Sequence, residues 1–221
     1  MSSTNTKDDA KNHQKILIFG ATGNTGQEVV KQALELGHTV TAFVRNPAKV
    51  DLQHENLTIK QGDVMNPASV DQAMSGHDAV LSSLGDGRQG KVRSEGTKNI
   101  IQAMKKTNIR RFIVQSSMGV GDSRGNLNFF WKYIMFGLFL RKAHADNILQ
   151  EEYIKQSHLD WTIVRPGALK DGERTSGQYR HGFPSDDKTT AMKISKADVA
   201  DFMLKQLVDD TYLRATPGLS Y

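Results

Sequence analysis

Three glycines spaced three residues apart follow an apolar run near the start of the chain. The run, Ile16–Phe19, has four apolar residues without polar alternation, which predicts a strand buried on both faces. It stops at Gly20, Gly23 and Gly26, and helix-forming residues resume over positions 27–36. A strand, a glycine turn and a helix in this order aim several backbone N–H groups and the positive end of the helix dipole at one point. Such a point suits a phosphate group.

The glycine spacing alone is weaker evidence than its surroundings. Gly-x-x-Gly-x-x-Gly only approximates the dinucleotide fingerprint Gly-x-Gly-x-x-Gly, and a plain tight connection from strand to helix could use the same residues. Because a strand precedes the motif and a helix follows it, we favour a nucleotide site. The predicted diphosphate-binding residues are those of the loop: Gly20, Ala21, Thr22, Gly23, Asn24, Thr25 and Gly26.

A second apolar stretch ends at an arginine. His38–Val44 predicts a second buried strand and completes a β-α-β unit. In such units an acidic residue after the second strand binds the adenosine 2′-hydroxyl, whereas an arginine accommodates a 2′-phosphate. Arg45 stands at this position, and no Asp or Glu occurs between Gly37 and Asp51. The sequence therefore favours NADP over NAD, with an ordinary surface arginine as the alternative.

Four further strands are predicted, over residues 57–60, 78–85, 111–119 and 159–167. With the helices between them they predict a single α/β domain, a doubly wound, Rossmann-like parallel sheet in the order 3-2-1-4-5-6. The carboxyl ends of its strands meet at one edge, where ligands bind. The candidate cofactor contacts there are Asp63, Val64, Leu84, Gly85, Ser116, Ser117, Met118, Pro166, Gly167 and Ala168.

Ser116 and Ser117 bring hydroxyl groups to this edge. They can touch nicotinamide or substrate, but a serine at a strand end also commonly caps the next turn. Ser117 is the stronger catalytic candidate because it leads into the glycine turn at Gly119.

Composition narrows the class of protein. A chain of 221 residues with 38% hydrophobic and 24% charged residues suits one globular domain. Its formal charge of +5 comes without the concentrated basic stripe of a nucleic-acid binder, so no nucleic-acid partner is expected. The absence of cysteine excludes disulfides and thiol catalysis. We expect no metal site, a disordered leader over residues 1–14, a domain over residues 15–221 and a cytoplasmic location.

Two segments depart from the strand-helix alternation. Residues 126–140 carry five phenylalanine or tryptophan residues and a tyrosine, yet are too short to span a bilayer, which needs about 20 apolar residues. A substrate flap, a dimer or membrane-surface patch, and plain core are the alternatives, with flap or interface favoured over core. Residues 168–190 are polar and glycine-bearing, which predicts a long loop or hairpin of the kind that often covers a substrate.

Several motifs together resemble a known family. Phe-Gly-Ala-Thr-Gly-Asn-Thr-Gly, Phe-Val-Arg-Asn-Pro, Leu-Asp-Trp-Thr-Ile-Val-Arg-Pro-Gly and Ile-Ser-Lys-Ala-Asp-Val-Ala are similar to motifs of the atypical short-chain dehydrogenase/reductases with NmrA-like NAD(P)H-binding domains, most of all to the flavin and biliverdin reductases. The resemblance covers residues 15–209. It implies that the loop at 20–26 binds the diphosphate, Arg45 the 2′-phosphate, and that Ser117 lies near the nicotinamide.

The same resemblance reveals missing catalytic groups. The Tyr-x-x-x-Lys pair of ordinary short-chain dehydrogenases is absent. Four residues after Tyr133, Tyr153 and Tyr179 stand Gly, Ser and Phe instead of Lys. The flavin reductases carry a histidine where this chain has Ala168. The reaction would then depend on positioning the nicotinamide hydride against the acceptor, with a proton supplied by Ser117 or by water.

The resemblance implies an NADPH-dependent reductase acting on a small planar acceptor, a flavin (FMN or FAD) or a linear tetrapyrrole. Basic residues that could receive the acceptor's anionic groups are Lys132, Arg141, Lys170 and Arg174. The alternatives are a non-enzymatic NADP(H) sensor of the NmrA kind, and an isomerase or assembly factor that docks through residues 127–140. We expect a monomer with no transmembrane segment.

Overall fold

The computed structural model describes residues 13–86 and 89–221. The predicted leader lies outside the described residues up to position 12. Its last residue, Gln14, contacts the domain: its backbone N–H donates to His38 Nδ1 at 3.1 Å, and its side-chain amide donates to the carbonyl of Leu207 at 3.3 Å. The contacts of the domain therefore begin before residue 15.

Ten strands are present among the described residues. They are β1 (Lys15–Phe19), β2 (Thr39–Val44), β3 (Leu57–Gln61), β4 (Ala79–Ser82), β5 (Arg111–Gln115), β6 (Asp160–Pro166), β7 (Ala168–Lys170), β8 (Arg180–His181), β9 (Lys193–Ser195) and β10 (Gly218–Ser220). Eight of them form one sheet in the order β3-β2-β1-β4-β5-β6-β10-β8. The pairings from β3 to β10 are parallel, and β8 joins antiparallel. The predicted order 3-2-1-4-5-6 is confirmed.

Five α-helices flank this sheet. They are α1 (Asn24–Glu35), α2 (Pro67–Met74), α3 (Val92–Thr107), α4 (Arg141–Lys155) and α5 (Lys196–Lys205). Short 3-10 turns occupy Pro47–Lys49 and Gly121–Asn126, and a π-helical segment occupies Phe130–Phe139.

Both faces of the sheet are covered by apolar layers. On one face, Ile16 and Ile18 of β1 belong to a cluster with α1 and α5. On the other face, Leu17 and Phe19 belong to a cluster with α2, α3 and Ile154 of α4. Alternate residues of one strand thus face opposite layers, which explains why the run lacks polar alternation.

The chain beyond β6 differs from the sequence-based prediction. Residues 168–190 are neither one covering loop nor a hairpin: β7 pairs with β9 in a two-stranded sheet, and β8 pairs with β10 at the edge of the main sheet. The two-residue β8 and three-residue β10 are too short to show a periodic pattern, so no pattern in the sequence indicated them.

No helix of the described residues is both long enough and apolar enough to cross a membrane.

Candidate functional site

The glycine loop between β1 and α1 has the geometry of an anion site. Gly20 has φ +78°, and a Cβ there would come within 2.6 Å of the Ser83 carbonyl oxygen. The N–H of Gly23 donates to the Gly20 carbonyl at 2.9 Å, and Gly23 then caps α1 in an extended conformation. No acidic residue occupies the first turn of α1. The helix N-terminus therefore keeps its positive character toward a ligand.

A cleft of about 470 Å³, called here the dinucleotide cleft, opens over this loop. It is bordered by residues that follow four parallel strands, which places it at the carboxyl edge of the sheet as predicted. The predicted residues that line it are Gly20, Thr22, Gly23, Asn24, Thr25, Arg45, Asp63, Val64, Leu84 and Gly85. Ala21 and Gly26 are buried and are not among its lining residues; Gly26 packs against the backbone of Gly20.

Two cations line the cleft where β2 ends. Arg45 follows β2 directly. Lys49, in the 3-10 turn Pro47–Lys49, also lines the cleft and was not predicted from the sequence. The acidic residue that lines the same cleft, Asp63, uses Oδ1 to accept the N–H of Met65 at 2.9 Å. Arginine and lysine at this end suit an extra phosphate on the adenosine ribose.

A second cavity of about 390 Å³, called here the apolar cavity, adjoins the cleft. The two share Leu84, Arg93, Gln115 and Leu169 among their lining residues. The predicted residues Ser116, Ser117, Met118, Pro166, Gly167 and Ala168 all line the apolar cavity. Its volume lies in the range of small-molecule sites.

Several buried polar atoms at these two cavities have no hydrogen-bond partner among the described residues. They include Gln115 Oε1, Ser83 Oγ, Asn147 Oδ1 and His144 Nδ1, each on a residue that lines the cleft or the apolar cavity. Buried polar groups are rarely left unpaired in proteins, so such atoms indicate a polar ligand. Amide oxygens such as those of Gln115 and Asn147 accept from a carboxamide N–H, the group that a nicotinamide carries. The residues present therefore fit an NAD(P)H molecule.

An ion pair supports the wall of the apolar cavity from within the protein. Arg165 donates to both oxygens of Glu151, at 2.9 and 2.6 Å, and both side chains are almost fully buried. Ser116 Oγ donates to the same carboxylate at 2.8 Å. Burial raises the pKa of Glu151, but the hydrogen bonds and charges of Arg165 and Lys155 outweigh burial and hold it below its usual value. Arg165 is thus a structural residue, and the predicted cofactor contacts at this strand end begin after it, at Pro166.

The two candidate serines differ in environment. The hydroxyl of Ser116 is engaged by Glu151, whereas Ser117 is half-buried and donates to the carbonyl of Met118 at 3.1 Å. The sequence reading missed a third group with an exchangeable proton, His144 of α4. Burial lowers the pKa of His144, and the nearby charge of Arg124 lowers it further while Glu151 opposes this. His144 also stacks on Phe136, with ring centroids 4.7 Å apart.

Residues 126–140, called here the aromatic segment, form one wall of the apolar cavity and expose their other side. Leu127, Trp131, Phe136 and Leu140 line the cavity. Others on the segment are exposed: Phe129 (72%), Phe130 (51%), Tyr133 (54%), Leu138 (70%) and Phe139 (52%). No residue of Phe130–Phe139 is buried, so plain core is excluded for that stretch.

The four basic residues expected near the substrate separate into two pairs. Lys132 and Arg141 lie beside the apolar cavity, as described below. Lys170 instead stacks over the ring of Tyr221 at 4.7 Å, and Arg174 approaches Glu35 at 3.8 Å. Neither Lys170 nor Arg174 lines the cleft or the apolar cavity, which corrects their predicted role. Of residues 168–190, only Ala168 and Leu169 border the apolar cavity.

No cluster of three or more potential metal-ligating side chains occurs in the described part of the chain.

A family described as NAD(P)H-binding matches residues 20–210. The chain belongs to this family. An uncharacterized chloroplastic protein of Arabidopsis thaliana is 31% identical over 218 residues, which cover 92% of this chain and 75% of that protein. The Photosystem II assembly factor Ycf39 of a Synechocystis strain is 26% identical, over 91% of this chain and 61% of its own length. The chain thus spans only part of these relatives.

Solved structures share the whole NAD(P)H-binding fold. A short-chain dehydrogenase/reductase from Veillonella parvula in complex with NADP has a TM-score of 0.77 and 22% identity, covering 94% of each chain. ChuY, an anaerobilin reductase from Escherichia coli O157:H7, has a TM-score of 0.76 and 24% identity, covering 93% of this chain and 96% of its own. The resemblance found in the sequence is therefore confirmed at the level of the NAD(P)H-binding, Rossmann-like family. The closer likeness to flavin and biliverdin reductases stays a prediction.

Proposed function

We propose that the protein is an NADPH-dependent reductase whose acceptor is a planar conjugated molecule, a flavin or a linear tetrapyrrole. The observation that carries this proposal is the junction of the dinucleotide cleft with the apolar cavity, which share four lining residues. A cofactor in the cleft would supply hydride at that junction. The anaerobilin reductase activity named for ChuY supports a tetrapyrrole among the possible acceptors.

The cavity walls provide the positioning. Trp131 and Phe136 present aromatic rings, and Met118 and Leu127 add apolar surface, so a flat conjugated ring can pack against them. Ser117 and His144 are the wall residues proposed to pass a proton: the hydroxyl of Ser116 bonds the buried Glu151 carboxylate, whereas that of Ser117 bonds the neighbouring backbone carbonyl of Met118. The preference for the phosphorylated cofactor is assigned to Arg45 with Lys49.

Steady-state oxidation of NADPH with FMN and with biliverdin tests the proposal. Trp131→Ala should raise KM for the acceptor about tenfold or more while leaving KM for NADPH unchanged, because it removes a ring from the apolar cavity only. Tyr133→Ala is the matched control, since Tyr133 lies on the same segment but points away from the cavity lining. Tight NADPH binding without turnover of either acceptor would exclude this function.

The proton-transfer assignment needs its own measurement. Ser117→Ala and His144→Gln should each lower kcat with KM for NADPH unchanged, by about 10²–10⁴-fold for a general acid. Only the His144 variant should also shift the pH profile of kcat, because a serine hydroxyl does not titrate near neutral pH. An unchanged kcat in both variants would leave water as the donor.

A second candidate function is a non-enzymatic NADP(H)-dependent docking or sensor protein. The exposed apolar side of the aromatic segment, which includes Leu138 and Phe139, favours this alternative. The relative named as an assembly factor, Ycf39, supports it. Equal affinity for NADP⁺ and NADPH, together with a bound protein lost in Leu138→Ser/Phe139→Ser but not in Leu36→Ser, would favour docking over reduction.

A further inference from the structure

A third cavity, of about 220 Å³, lies behind the aromatic segment and next to the apolar cavity. It is called here the basic cavity. The two cavities share Leu127, Phe136 and His144 among their lining residues. These three side chains therefore stand between the proposed acceptor position and the basic cavity.

Three cations line the basic cavity: Arg124, Lys132 and Arg141. No carboxylate is among its lining residues. Within the described part of the chain, none of the three cations makes an ion pair. The sequence shows the same excess of positive charge, because residues 123–145 contain four Lys or Arg residues and no Asp or Glu. Three like charges around one cavity that no carboxylate lines favour an anion there.

His144 lies at the boundary between the two cavities and is affected by the positive charge nearby. Its Nδ1 is buried without a partner among the described residues. Besides burial, the charge of Arg124 lowers the pKa of His144. A group that enters the basic cavity from the acceptor side would thus pass an unsatisfied imidazole and meet unpaired cations. The cations suit an anion, to which the imidazole donates when its proton is on Nδ1.

We infer that the basic cavity binds a carboxylate or phosphate of the acceptor, so that the substrates are planar conjugated molecules with an anionic side chain. This inference rests on the proposed function. Flavin mononucleotide and linear tetrapyrroles satisfy it through different groups, a phosphate on a ribityl chain and propionate carboxylates. Guanidinium and ammonium groups bind both kinds of anion through charge-assisted hydrogen bonds.

Equilibrium binding to the NADP⁺-loaded protein tests the inference without requiring turnover. Two matched pairs of ligands differ only in the anion: FMN against riboflavin, and biliverdin against its dimethyl ester. We expect the anionic member of at least one pair to bind about 10- to 100-fold more tightly, because a hydrogen bond to a charged group is worth that factor. The preference should weaken as salt is added. The pair that shows it identifies phosphate or carboxylate as the anion.

The double variant Arg124→Gln/Lys132→Gln should abolish this preference while the neutral ligand binds as before. Lys142→Gln/Lys170→Gln is the matched control, because it removes the same charge from residues that do not line the basic cavity. A preference that survives in the Arg124/Lys132 variant would overturn the assignment, as would equal binding within both pairs. In those two cases the proposed function stands. If no member of either pair binds, the proposed function fails and the inference fails with it.

Discussion

Replacing Glu151 with glutamine removes a carboxylate that several donors share behind the wall of the apolar cavity. Arg165 approaches it through Nε at 2.9 Å and Nη2 at 2.6 Å, Ser116 Oγ at 2.8 Å and Lys155 Nζ at 2.9 Å. An amide has almost the same shape, but its N–H₂ would face the donors of Arg165. The substitution therefore leaves a buried guanidinium without its main counterion.

The expected cost follows from these contacts. Breaking a buried ion pair by removing one partner costs about 3–5 kcal/mol. Arg165 keeps Asp122, whose Oδ1 lies 2.5 Å from Nη1, and the amide oxygen keeps one hydrogen bond. We therefore expect the lower end, a loss of about 3 kcal/mol in the free energy of unfolding, out of a total of about 5–15 kcal/mol.

Urea unfolding at pH 7 measures this loss. The matched control is Glu152→Gln, the exposed neighbour on the same helix, which should change stability by less than about 0.5 kcal/mol. Equal, small losses in both variants would refute the role given to the buried pair.

The pH dependence gives a second check on Glu151. Its pKa in the folded protein is held below its usual value, since Arg165 and Lys155 outweigh the opposing effect of burial. Its stabilising contribution is therefore present above the unfolded pKa of about 4.3 and is lost as pH falls through the lower folded value. Wild type should lose more stability than Glu151→Gln in that acidic window, so that the two unfolding curves converge.

The other predictions concern the cofactor. Arg45→Ala should reduce the preference for NADPH over NADH, measured as the ratio of their Kd values, by about 10- to 100-fold, which is the worth of one charge-assisted phosphate contact. Lys31→Ala is the control, because Lys31 is an exposed cation of α1 outside the cleft, and it should leave this ratio unchanged. Gly20→Ala should weaken NADPH binding and lower Tm, because a φ of +78° is strained for alanine and the added Cβ would meet the Ser83 carbonyl oxygen at 2.6 Å. Normal NADPH affinity and Tm in this variant would contradict the role given to Gly20.

Local sequence was sufficient for the sheet and for the cofactor end of the site. The apolar run of β1, the glycines after it and Arg45 after β2 are short-range patterns, and their meaning depends on the few residues around them. In a parallel sheet the carboxyl ends of all strands reach the same edge, so the positions of Asp63, Gly85 and Pro166 in the walls of the cleft and the apolar cavity followed from the strand assignments alone.

Other parts of the site depended on how the helices pack. His144 and Asn147 reach the apolar cavity from α4, and only the rotation of that helix against its neighbours determines which of its side chains face inward. Likewise, charge alone could not separate Lys132 and Arg141, at the basic cavity, from Lys170 and Arg174, which contact Tyr221 and Glu35.

The sequence by itself determined the six main strands, the position of the glycine loop and the cation that follows β2, because each is encoded in neighbouring residues. The order of these strands then followed from the topology of doubly wound sheets. Only the tertiary structure decided which hydroxyl bonds a carboxylate, since Glu151 engages Ser116 while Ser117 donates to the carbonyl of Met118. It also decided that the aromatic segment has two sides, one toward the apolar cavity and one exposed. Both outcomes depend on contacts between residues distant in the chain, which no local pattern encodes.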